Sequence, residues 1–427
     1  MKVAIIGLGI SGIRAALLLE RAGADVSLYE AKPRPGGRLY TVDEGDGVLY
    51  EAGGEWIDSD HQRCVNLLNE LQIEPLRRAQ WPNRLVYKGR TADEANLWND
   101  AMEDDLRVEA AARELCRNLY EPPWRNEESK DLDERTLDQF FREQTQSERG
   151  LWYVGAKFRS DEGDDPERIG LLGWLSGYLH YLERDGDETS ALRVPGGFSS
   201  ICDLMLAKLR ATPHYSKVLS RVRQDGTGVT LIFEDDGQAR CDHVVLTLPP
   251  PALERVVFEP ALSVAKRCAI EACEMSRAIK IVWQFDRPWW HDHGWGGGMF
   301  CDASLQQTWD GSLGEAAVLT AFICGRNAVE WVKLGDPVRA GLYELAKLYP
   351  EASGSFVRGW VHDWLGDPFA QGAYSHLAPG FVLGHMKHVA TPEARVHFGG
   401  EHTGLFQGFI EGALESAERI AAELAAI

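Results

Sequence analysis

The amino-terminal segment, residues 2–30, constrains the fold of this chain more than any other feature. Lys2 to Ile6 predict a short apolar strand, the residues after a glycine turn to about Ala22 an apolar helix, and Asp25 to Tyr29 a second strand. The turn between the first strand and the helix reads Gly7-Leu8-Gly9-Ile10-Ser11-Gly12. Strand, glycine turn, helix and strand in this order form a βαβ unit, so we predict an α/β fold with a Rossmann-like domain.

The glycines of the turn indicate that this unit binds a dinucleotide. Gly7 permits the tight turn, Gly9 lets the backbone approach a pyrophosphate, and Gly12 lets the helix pack on the sheet. The helix would direct the positive end of its dipole at the phosphates. Glu30, eighteen residues after Gly12, can accept hydrogen bonds from a ribose diol, and its charge disfavours the 2′-phosphate of NADP.

The residues after Glu30 separate FAD from NAD. The stretch Ala31-Lys32-Pro33-Arg34-Pro35-Gly36-Gly37-Arg38 resembles the extension by which FAD enzymes of the amine oxidase and glutathione reductase type continue past the ribose-binding acid. In those families the basic residue that matches Arg38 lies beside the cofactor phosphates. The resemblance therefore implies FAD, with Ala31, Gly37 and Arg38 among the residues that bind it.

The composition is that of an ordinary globular protein with more than one domain. The chain has 427 residues, of which 44% are hydrophobic and 26% charged, and this length allows two or more cores. A net charge of −20 argues against a nucleic-acid partner, which needs cationic contacts. Acidic runs at Asp161–Glu167 and Glu183–Glu188 could steer a cationic substrate, although solvated acidic faces are the simpler interpretation.

The eight cysteines are scattered, without a CxxC pair or a metal-ligand spacing. This pattern predicts reduced thiols in a cytoplasmic protein and no metal site. No segment approaches the length of a membrane-spanning helix, so no membrane partner is expected. The sequence leaves open whether the chain is a monomer or a homodimer.

Flavin-type sequence elements recur in three separated segments, which predicts a cofactor domain assembled from discontinuous pieces. We predict that residues 1–80, 192–267 and 390–427 form the FAD-binding domain. Residues 81–191 and 268–389 are expected to form a second, substrate-binding domain of mixed sheet and helix, α+β in character, with the first of these stretches mostly helical.

The second and third cofactor segments each predict a strand that leads toward the flavin. A hairpin is expected from Lys217 to Phe233, with Val218 on the strand that meets the adenine side, followed by the strand His243–Leu248. In the third segment the strand Arg395–Phe398 leads through a glycine turn to an amphipathic helix from about Phe409 to Ala426. The positive end of this helix would stabilise an anionic reduced flavin by about 1 kcal/mol.

Lys280 stands inside an alternating strand, Ala278 to Phe285, on the face opposite Ile281 and Trp283. A buried ammonium is costly without a partner. The strand alone therefore predicts that Lys280 lies at an exposed edge, is paired, or occupies a polar site, and it favours an ordinary surface lysine.

Motifs along nearly the whole chain occur in the order typical of one enzyme family. After the amino-terminal unit come Gly53-Gly54-Glu55-Trp56, a proline-capped strand, Lys280 before a Trp-rich segment, Trp364, Gly372-Ala373-Tyr374, and Gly400-Glu401 to Glu411-Gly412-Ala413. In this order they resemble the flavin monoamine oxidase superfamily, which includes monoamine oxidases, polyamine oxidases and L-amino-acid oxidases. The resemblance implies FAD, amine oxidation, and a flavin-facing Lys280 that holds a water near N5.

The resemblance also implies an aromatic substrate cage. Tyr374 and Phe409 match the two positions whose rings flank the amine in front of the flavin, although core packing is the ordinary role of aromatic residues. Many relatives have tyrosine at the second position, so Phe409 predicts a more apolar cage. Trp56 matches a residue that walls both the flavin pocket and the substrate site. The other residues at positions that match cofactor contacts are Ser11, Gly53, Gly54, Glu55, Trp364, Gly400, Glu401 and Ile410.

Asp58 has two interpretations. It falls where polyamine oxidases carry an acid in the substrate tunnel, and there it could bind a distal ammonium through a charge-assisted hydrogen bond. Asp58-Ser59-Asp60 is also a plausible N-cap for a helix from Arg63 to Leu71, and we favour the cap.

Two departures from the family pattern refine the prediction. Ala373 stands where covalently flavinylated monoamine oxidases have a cysteine, so noncovalent FAD is expected. The arginine that follows Gly-x-Met in typical L-amino-acid oxidases and holds the substrate carboxylate is missing from Gly54-Glu55-Trp56. An amino-acid substrate is therefore less favoured, although Arg63 or another arginine could bind its carboxylate.

We therefore predict an FAD-dependent amine or polyamine oxidase that acts on a small-molecule amine and transfers hydride to flavin N5, with reoxidation by O2 giving H2O2. An L-amino-acid oxidase is the main alternative. A flavin desaturase or dehydrogenase and a non-catalytic FAD-binding module are further rivals. The sequence does not identify the amine.

Overall fold

The computed structural model describes residues 1–78, 81–182 and 189–427. The second acidic run, Glu183–Glu188, lies outside these described residues.

The strands of the described ranges belong to three larger sheets and two strand pairs. In chain order they are β1 (Lys2–Ile6), β2 (Asp25–Tyr29), β3 (Thr41–Asp43), β4 (Leu49–Glu51), β5 (Leu76–Arg77), β6 (Arg84–Tyr87), β7 (Arg90–Asp93), β8 (Leu192–Arg193), β9 (Pro213–His214), β10 (Leu219–Asp225), β11 (Gly228–Phe233), β12 (Gln238–Cys241), β13 (His243–Leu246), β14 (Val257–Glu259), β15 (Ala278–Phe285), β16 (Met299–Cys301), β17 (Gln307–Asp310), β18 (Ala317–Cys324), β19 (Phe356–Asp363) and β20 (Val396–Phe398).

The helices cover the sheets and fill the segment between β7 and β8. They are α1 (Ile10–Arg21), α2 (Gln62–Leu71), α3 (Asn99–Cys116), α4 (Lys130–Glu134), α5 (Leu137–Gln144), α6 (Glu148–Glu162), α7 (Leu171–Leu182), α8 (Phe198–Leu206), α9 (Pro250–Leu253), α10 (Val264–Ala272), α11 (Gly325–Trp331), α12 (Pro337–Leu348), α13 (Glu351–Ser355), α14 (Lys387–Ala390) and α15 (Ile410–Ala425). Single turns of 3-10 helix lie at Glu94–Asn96, Pro123–Arg125, Glu127–Ser129, Trp289–His293 and Glu401–Thr403, and one π-helical turn lies at Val382–Met386.

A parallel sheet brings the amino and carboxyl terminal parts of the chain together. Its five strands have the order β20-β13-β1-β2-β9, and every pairing is parallel. The apolar faces of α1, α8 and α15 pack on it, with Leu17, Phe198 and Ile420 in one buried cluster. The carboxyl ends of β1, β2, β13 and β20 therefore lie along one edge, where ligands bind in α/β sheets.

A second, larger sheet carries Lys280. Its seven strands have the order β19-β15-β18-β17-β16-β6-β7. β15 occupies the bounds predicted for it and pairs antiparallel with β18 on one side and β19 on the other. Because Lys280 lies in an interior strand and is only 5% exposed, the expectation of an ordinary surface lysine is wrong.

The remaining predicted elements are present, with small corrections to their bounds. A four-stranded sheet, β12-β11-β10-β14, contains the predicted hairpin as β10 and β11. Val218 directly precedes β10 and is not part of the strand. β13 ends at Leu246 rather than Leu248 because the chain turns toward Pro249, which has no N–H to extend a ladder.

The helical insert corrects the interpretation of the first acidic run. Asp164 and Asp165 are buried rather than solvated. Asp164 accepts hydrogen bonds from the Arg277 guanidinium, and Asp165 accepts one from the Arg326 side chain. Pairing compensates for the loss of hydration, so this part of the run joins the insert to the large sheet.

Across the described parts of the chain, no helix is both long enough and apolar enough to span a bilayer.

Candidate active site

A cavity of about 650 Å³ is lined by residues from both the parallel sheet and the large sheet. Its wall includes nearly every residue predicted for the site: Gly7, Gly9, Ser11, Glu30, Ala31, Gly37, Arg38, Gly53, Gly54, Glu55, Trp56, Asp58, Val218, Lys280, Trp364, Tyr374, Gly400, Glu401, Phe409 and Ile410. Gly12 is the exception. It packs between α1 and β1, against the Gly7 carbonyl, and does not line the cavity. The structure therefore brings the predicted cofactor and substrate residues to one cavity. The role of each residue stays a prediction.

The nucleotide end of the cavity is a backbone cradle at the start of α1. Gly7 has φ +95, a conformation that favours glycine. A Cβ at Gly12 would lie 2.0 Å from the Gly7 carbonyl oxygen, so the helix could not approach β1 with any larger residue. At Gly9, by contrast, a Cβ would meet its nearest atom only at 3.9 Å. The open face at Gly9 and the N-terminus of α1 fit a pyrophosphate.

Glu30 is held rigidly at the end of β2. Its two carboxylate oxygens accept hydrogen bonds from the backbone N–H groups of Leu8, at 2.7 Å, and Lys32, at 2.8 Å. Burial raises the pKa of Glu30 although these bonds oppose it. Each carboxylate oxygen keeps a further lone pair, so the group can still accept from a ribose diol.

Lys280 lies on the wall of the same cavity and is paired. Its Nζ donates to the carbonyl oxygens of Glu51 at 3.2 Å and Gly53 at 2.8 Å, and to Glu55 Oε2 at 2.9 Å. Three acceptors match the three N–H groups of an ammonium. Pairing, one of the outcomes expected from the strand pattern, therefore explains how the charge is buried.

Glu55 is the centre of this charged cluster. Besides Lys280, it contacts Arg193 Nη2 through Oε1 at 2.7 Å and accepts from Trp309 Nε1 through Oε2 at 3.0 Å. Its side chain is 2% exposed. The sequence pointed to Glu55 only as a cofactor residue, because Arg193 and Trp309 lie far from it along the chain and no local pattern links the three.

A second ion pair orders the loop before α15. Arg38 Nη1 donates to Glu401 Oε1 at 2.7 Å and to the Ala373 carbonyl at 3.1 Å. Glu401 also accepts from Ser375 Oγ and from the Gly408 N–H at 2.8 Å. Burial alone would raise the pKa of Glu401, but the Arg38 guanidinium, His402 and the hydrogen bond from Ser375 together outweigh it, and the pKa is lowered to about 2.

Ser11 joins the same region from the other side. Its Oγ lies 2.8 Å from Ser416 Oγ and accepts from the Gly400 N–H at 3.2 Å. The starts of α1 and α15 and the turn after β20 are thereby fixed to one another.

The two cage residues predicted from the resemblance lie on adjacent parts of the wall. A Cβ at Gly408, next to Phe409, would lie 3.4 Å from Tyr374 Cδ2. Phe409 is the N-cap residue of α15, and its ring meets the edge of His61 at 5.3 Å between centroids. Burial raises the pKa of the Tyr374 hydroxyl well above its ordinary value. Trp364 closes the wall and donates from Nε1 to the Ala52 carbonyl at 2.9 Å.

The helix-cap interpretation of Asp58 is wrong. α2 begins at Gln62 with His61 as its N-cap residue, and no side chain of the Asp58–Asp60 stretch caps it. Glu411 of α15 accepts instead from the N–H groups of Arg63 and Cys64, each at 3.0 Å. Asp58 Oδ1 accepts from the Ser190 N–H at 2.7 Å.

Several polar residues on the cavity wall were not anticipated. Gln307 and Thr308 come from β17, Asn83 directly precedes β6, and Arg78 directly follows β5. Polar residues next to or within short strands give only a weak signal in the sequence. Arg63, which was considered as a carboxylate ligand, is absent from the cavity wall and pairs with Glu411 and Glu418.

Comparison with known proteins identifies the family. Residues 10–425 match the model of the flavin-containing amine oxidoreductases. The chain therefore belongs to this family and is an FAD-dependent amine oxidoreductase, as the motifs predicted.

Individual relatives are distant but similar over most of their length. The L-amino acid dehydrogenase of Synechocystis sp. is 25% identical over 98% of this chain and 93% of its own. The flavin-containing amine oxidase A of Equus caballus is 23% identical over 99% and 84%, respectively.

Solved structures show the same fold. Cyclohexylamine oxidase from Brevibacterium oxydans superposes with a TM-score of 0.90 at 24% identity, covering 100% of this chain and 98% of that one. Wild-type putrescine oxidase bound to putrescine gives a TM-score of 0.90 at 23% identity, with both chains fully covered at 100%. These likenesses confirm the α/β fold class with a mixed second part.

Proposed function

We propose that this enzyme oxidises the C–N bond of a small-molecule amine to an imine and passes the electrons to O2, which gives H2O2. The observation that carries the proposal is the single cavity that joins the glycine cradle and Glu30 to Lys280, Tyr374 and Phe409. The relatives named above, an amine oxidase and an L-amino acid dehydrogenase, support oxidation at a carbon next to nitrogen.

FAD, when bound, would supply the electron acceptor, taking up hydride from the carbon next to the amine nitrogen at N5 and then delivering two electrons to O2. The chain would hold it through the cradle of Gly7 and Gly9, through Glu30 at the ribose, and through the backbone of Gly53 and Gly54 at the ring system.

The side chains at the reactive end would prepare the amine. An ammonium has no available lone pair, and the apolar surroundings of Tyr374 and Phe409 disfavour the charged form. The raised pKa of Tyr374 keeps its hydroxyl protonated, so it would orient the amine rather than remove a proton. Lys280, paired with Glu55, would act as a fixed cation beside the acceptor. Asp58 remains our candidate for a distal ammonium.

We also propose that FAD is held noncovalently in two cooperating domains. Ala373 occupies the position of the flavin-linked cysteine, and the described cavity wall contains no cysteine. Strands of the parallel sheet come from residues 1–80, 192–267 and 390–427, whereas those of the large sheet come from 81–191 and 268–389. These facts support the domain division. A cytoplasmic location is consistent with eight unpaired cysteines, all within the described residues.

Anaerobic mixing of the purified holoenzyme with monoamines, polyamines and amino acids tests the proposal. Bleaching of the visible flavin band by at least one class, followed by recovery of the band and H2O2 formation on admitting O2, is expected. Flavin binding without bleaching by any of these compounds would favour the non-catalytic module. Bleaching without recovery in O2 would favour a dehydrogenase.

A further inference from the structure

Arg78 occupies a position on the cavity wall that the proposed chemistry has not used. It follows β5, and its backbone N–H donates to the Ala191 carbonyl at 2.8 Å, which fixes its Cα. Its guanidinium lies over the indole of Trp56, 5.1 Å from the ring centroid. Trp56 and Tyr374 pack against the same buried apolar cluster, so Arg78 and the predicted cage share this part of the cavity wall.

This half-buried guanidinium has no counter-ion in the described parts of the chain. Among the described residues no carboxylate lies within salt-bridge distance of Arg78, and its side chain donates no hydrogen bond. The nearby carboxylates are engaged elsewhere, Glu55 by Lys280 and Arg193, and Glu94 by the Asn83 backbone N–H at 3.2 Å. A second cation, Arg193, lies over the same indole at 4.9 Å. Burial lowers the pKa of Arg78, which reflects the cost of the unpaired charge.

The cavity of about 650 Å³ that Arg78 and Asn83 both line leaves room for a small anion. The two side chains lie close together, since Asn83 Oδ1 and Arg78 Nη2 are 2.2 Å and 3.4 Å from the position that a Cβ at Gly298 would take. Gln307 and Thr308 line the cavity from β17. These groups can share hydrogen bonds with an anion that Arg78 binds.

We propose that Arg78 binds the carboxylate of the substrate, so that the amine oxidised here is an amino acid. This inference rests on the proposed function and specifies its substrate class. A planar guanidinium matches a carboxylate through two parallel hydrogen bonds. The FAD phosphates are expected at the start of α1, by Gly7 and Gly9, whereas the Arg78 guanidinium lies by Trp56 and Gly298, so the phosphates are not expected to supply the missing anion.

The arrangement also explains how simple amines would be rejected. An amine without a carboxylate would occupy the cage and leave Arg78 buried without a partner. A site built for a polar group discriminates strongly against an analogue that lacks it, because its own polar group then stays unpaired.

Matched pairs of an amino acid and its decarboxylated amine test the inference without any mutation. L-leucine and 3-methylbutylamine, L-phenylalanine and 2-phenylethylamine, and L-lysine and cadaverine are compared by anaerobic stopped flow. In at least one pair the amino acid is expected to reduce the flavin with a second-order rate constant about 100-fold higher, the range lost with one charged hydrogen bond. Faster reduction by the decarboxylated members would overturn the role of Arg78 and leave amine oxidation standing. No reduction by either member of any pair would overturn the proposed function itself.

Variants assign the preference to Arg78. Arg78→Met is expected to reduce the ratio of amino-acid to amine rate constants about 100-fold, and Arg78→Lys to restore part of it. Arg210→Met, at an exposed surface arginine, should leave the ratio unchanged. Benzoate titrated into the holoenzyme by calorimetry gives a readout independent of turnover, with binding expected in the wild type and lost in Arg78→Met. An unchanged ratio together with unchanged benzoate binding in the folded, yellow Arg78→Met variant would overturn the inference.

Discussion

At the scale of single residues, Glu55 controls the electrostatics around the reactive end of the cavity. It contacts Lys280, Arg193 and Trp309 at distances of 2.7–3.0 Å. Glu55 is thus the anionic partner that Lys280 and Arg193 share in this buried position.

Glu55→Gln keeps the shape of this side chain and removes its charge. We expect a loss of about 3 kcal/mol in the free energy of unfolding, because Lys280 and Arg193 would be left without their anionic partner. Denaturant unfolding of the variant measures it. Glu344→Gln, which breaks the more exposed pair with Lys347, is the control and should cost less than about 1 kcal/mol. Equal effects of the two changes would contradict a special role for Glu55.

Lys280→Met keeps the length of the side chain and removes its ammonium. We expect slower flavin reduction or slower reoxidation while FAD remains bound, because the variant removes the ammonium from the cavity wall and leaves the glycine cradle intact. Stopped-flow measurement of both half-reactions separates the two effects. The three N–H groups already have protein acceptors, so a water-holding role would require exchange of one of them. Unchanged rates would remove Lys280 from the mechanism.

Glu51 predicts a specific pH dependence of stability. Burial raises its pKa to about 7 from the ordinary 4.5. The folded state therefore binds more protons than the unfolded state between these values, and this contribution to stability is lost as the pH rises from about 4.5 to about 7. The loss is roughly 3 kcal/mol. Glu51→Gln, which can keep the bond from the Phe198 N–H, should remove this part of the slope. The same slope in both proteins would show that Glu51 is not responsible.

At the scale of elements, the packing of α1 on β1 determines whether the nucleotide cradle exists. The contact depends on Gly12, whose position allows only a hydrogen atom against the Gly7 carbonyl. The same start of α1 is tied through Ser11 to Ser416 of α15. A shift of α1 would therefore disturb both ends of the site.

Gly12→Ala is expected to lower FAD occupancy and thermal stability, because a Cβ 2.0 Å from the Gly7 oxygen forces α1 away from the sheet. The ratio of flavin to protein absorbance and the melting temperature of the purified variant measure these effects. Gly177→Ala in α7, where an added Cβ meets no atom within 4 Å, is the matched helical control and should be neutral or stabilising by about 0.5–1 kcal/mol. Full flavin occupancy in Gly12→Ala would contradict the steric argument.

The elements most readily predicted were those whose signals are local. β1, β2 and β15 follow from apolar runs and alternation, and the structure has them at the expected bounds, whereas α1 begins at Ile10, inside the stretch expected to be the glycine turn. The burial of β15 was not predicted from its sequence. Alternation suggests one solvated face, whereas β15 lies between β18 and β19 and is buried on both faces. The cap of α2 was also missed, since it comes from Glu411 on a distant helix.

At the scale of the whole molecule, separated segments enclose one cavity that spans two sheets. Its wall combines residues from the first turn of the chain with residues from its last helix. Such a site can form only when the parallel sheet and the large sheet are both folded.

Acid or heat denaturation of the holoenzyme should release all its flavin into solution. The reason is that Ala373 cannot form a thioether and no cysteine lies on the described cavity wall. Absorbance of the supernatant after precipitation, compared with that of the native protein, measures the released fraction. Flavin retained in the precipitated protein after washing would contradict noncovalent binding.

The sequence by itself determined the dinucleotide cradle, the α/β class, the family and the cavity residues that stand in family motifs, because these depend on local spacing. Only the tertiary structure decided that Lys280 is paired, that Glu55 also engages Arg193, and that Asp58 does not cap α2. It also decided that Arg78 lines the cavity without a counter-ion among the residues that the structure describes. These properties depend on which charged groups come into contact after folding. Such groups lie far apart along the chain, so no local sequence pattern predicts their contacts.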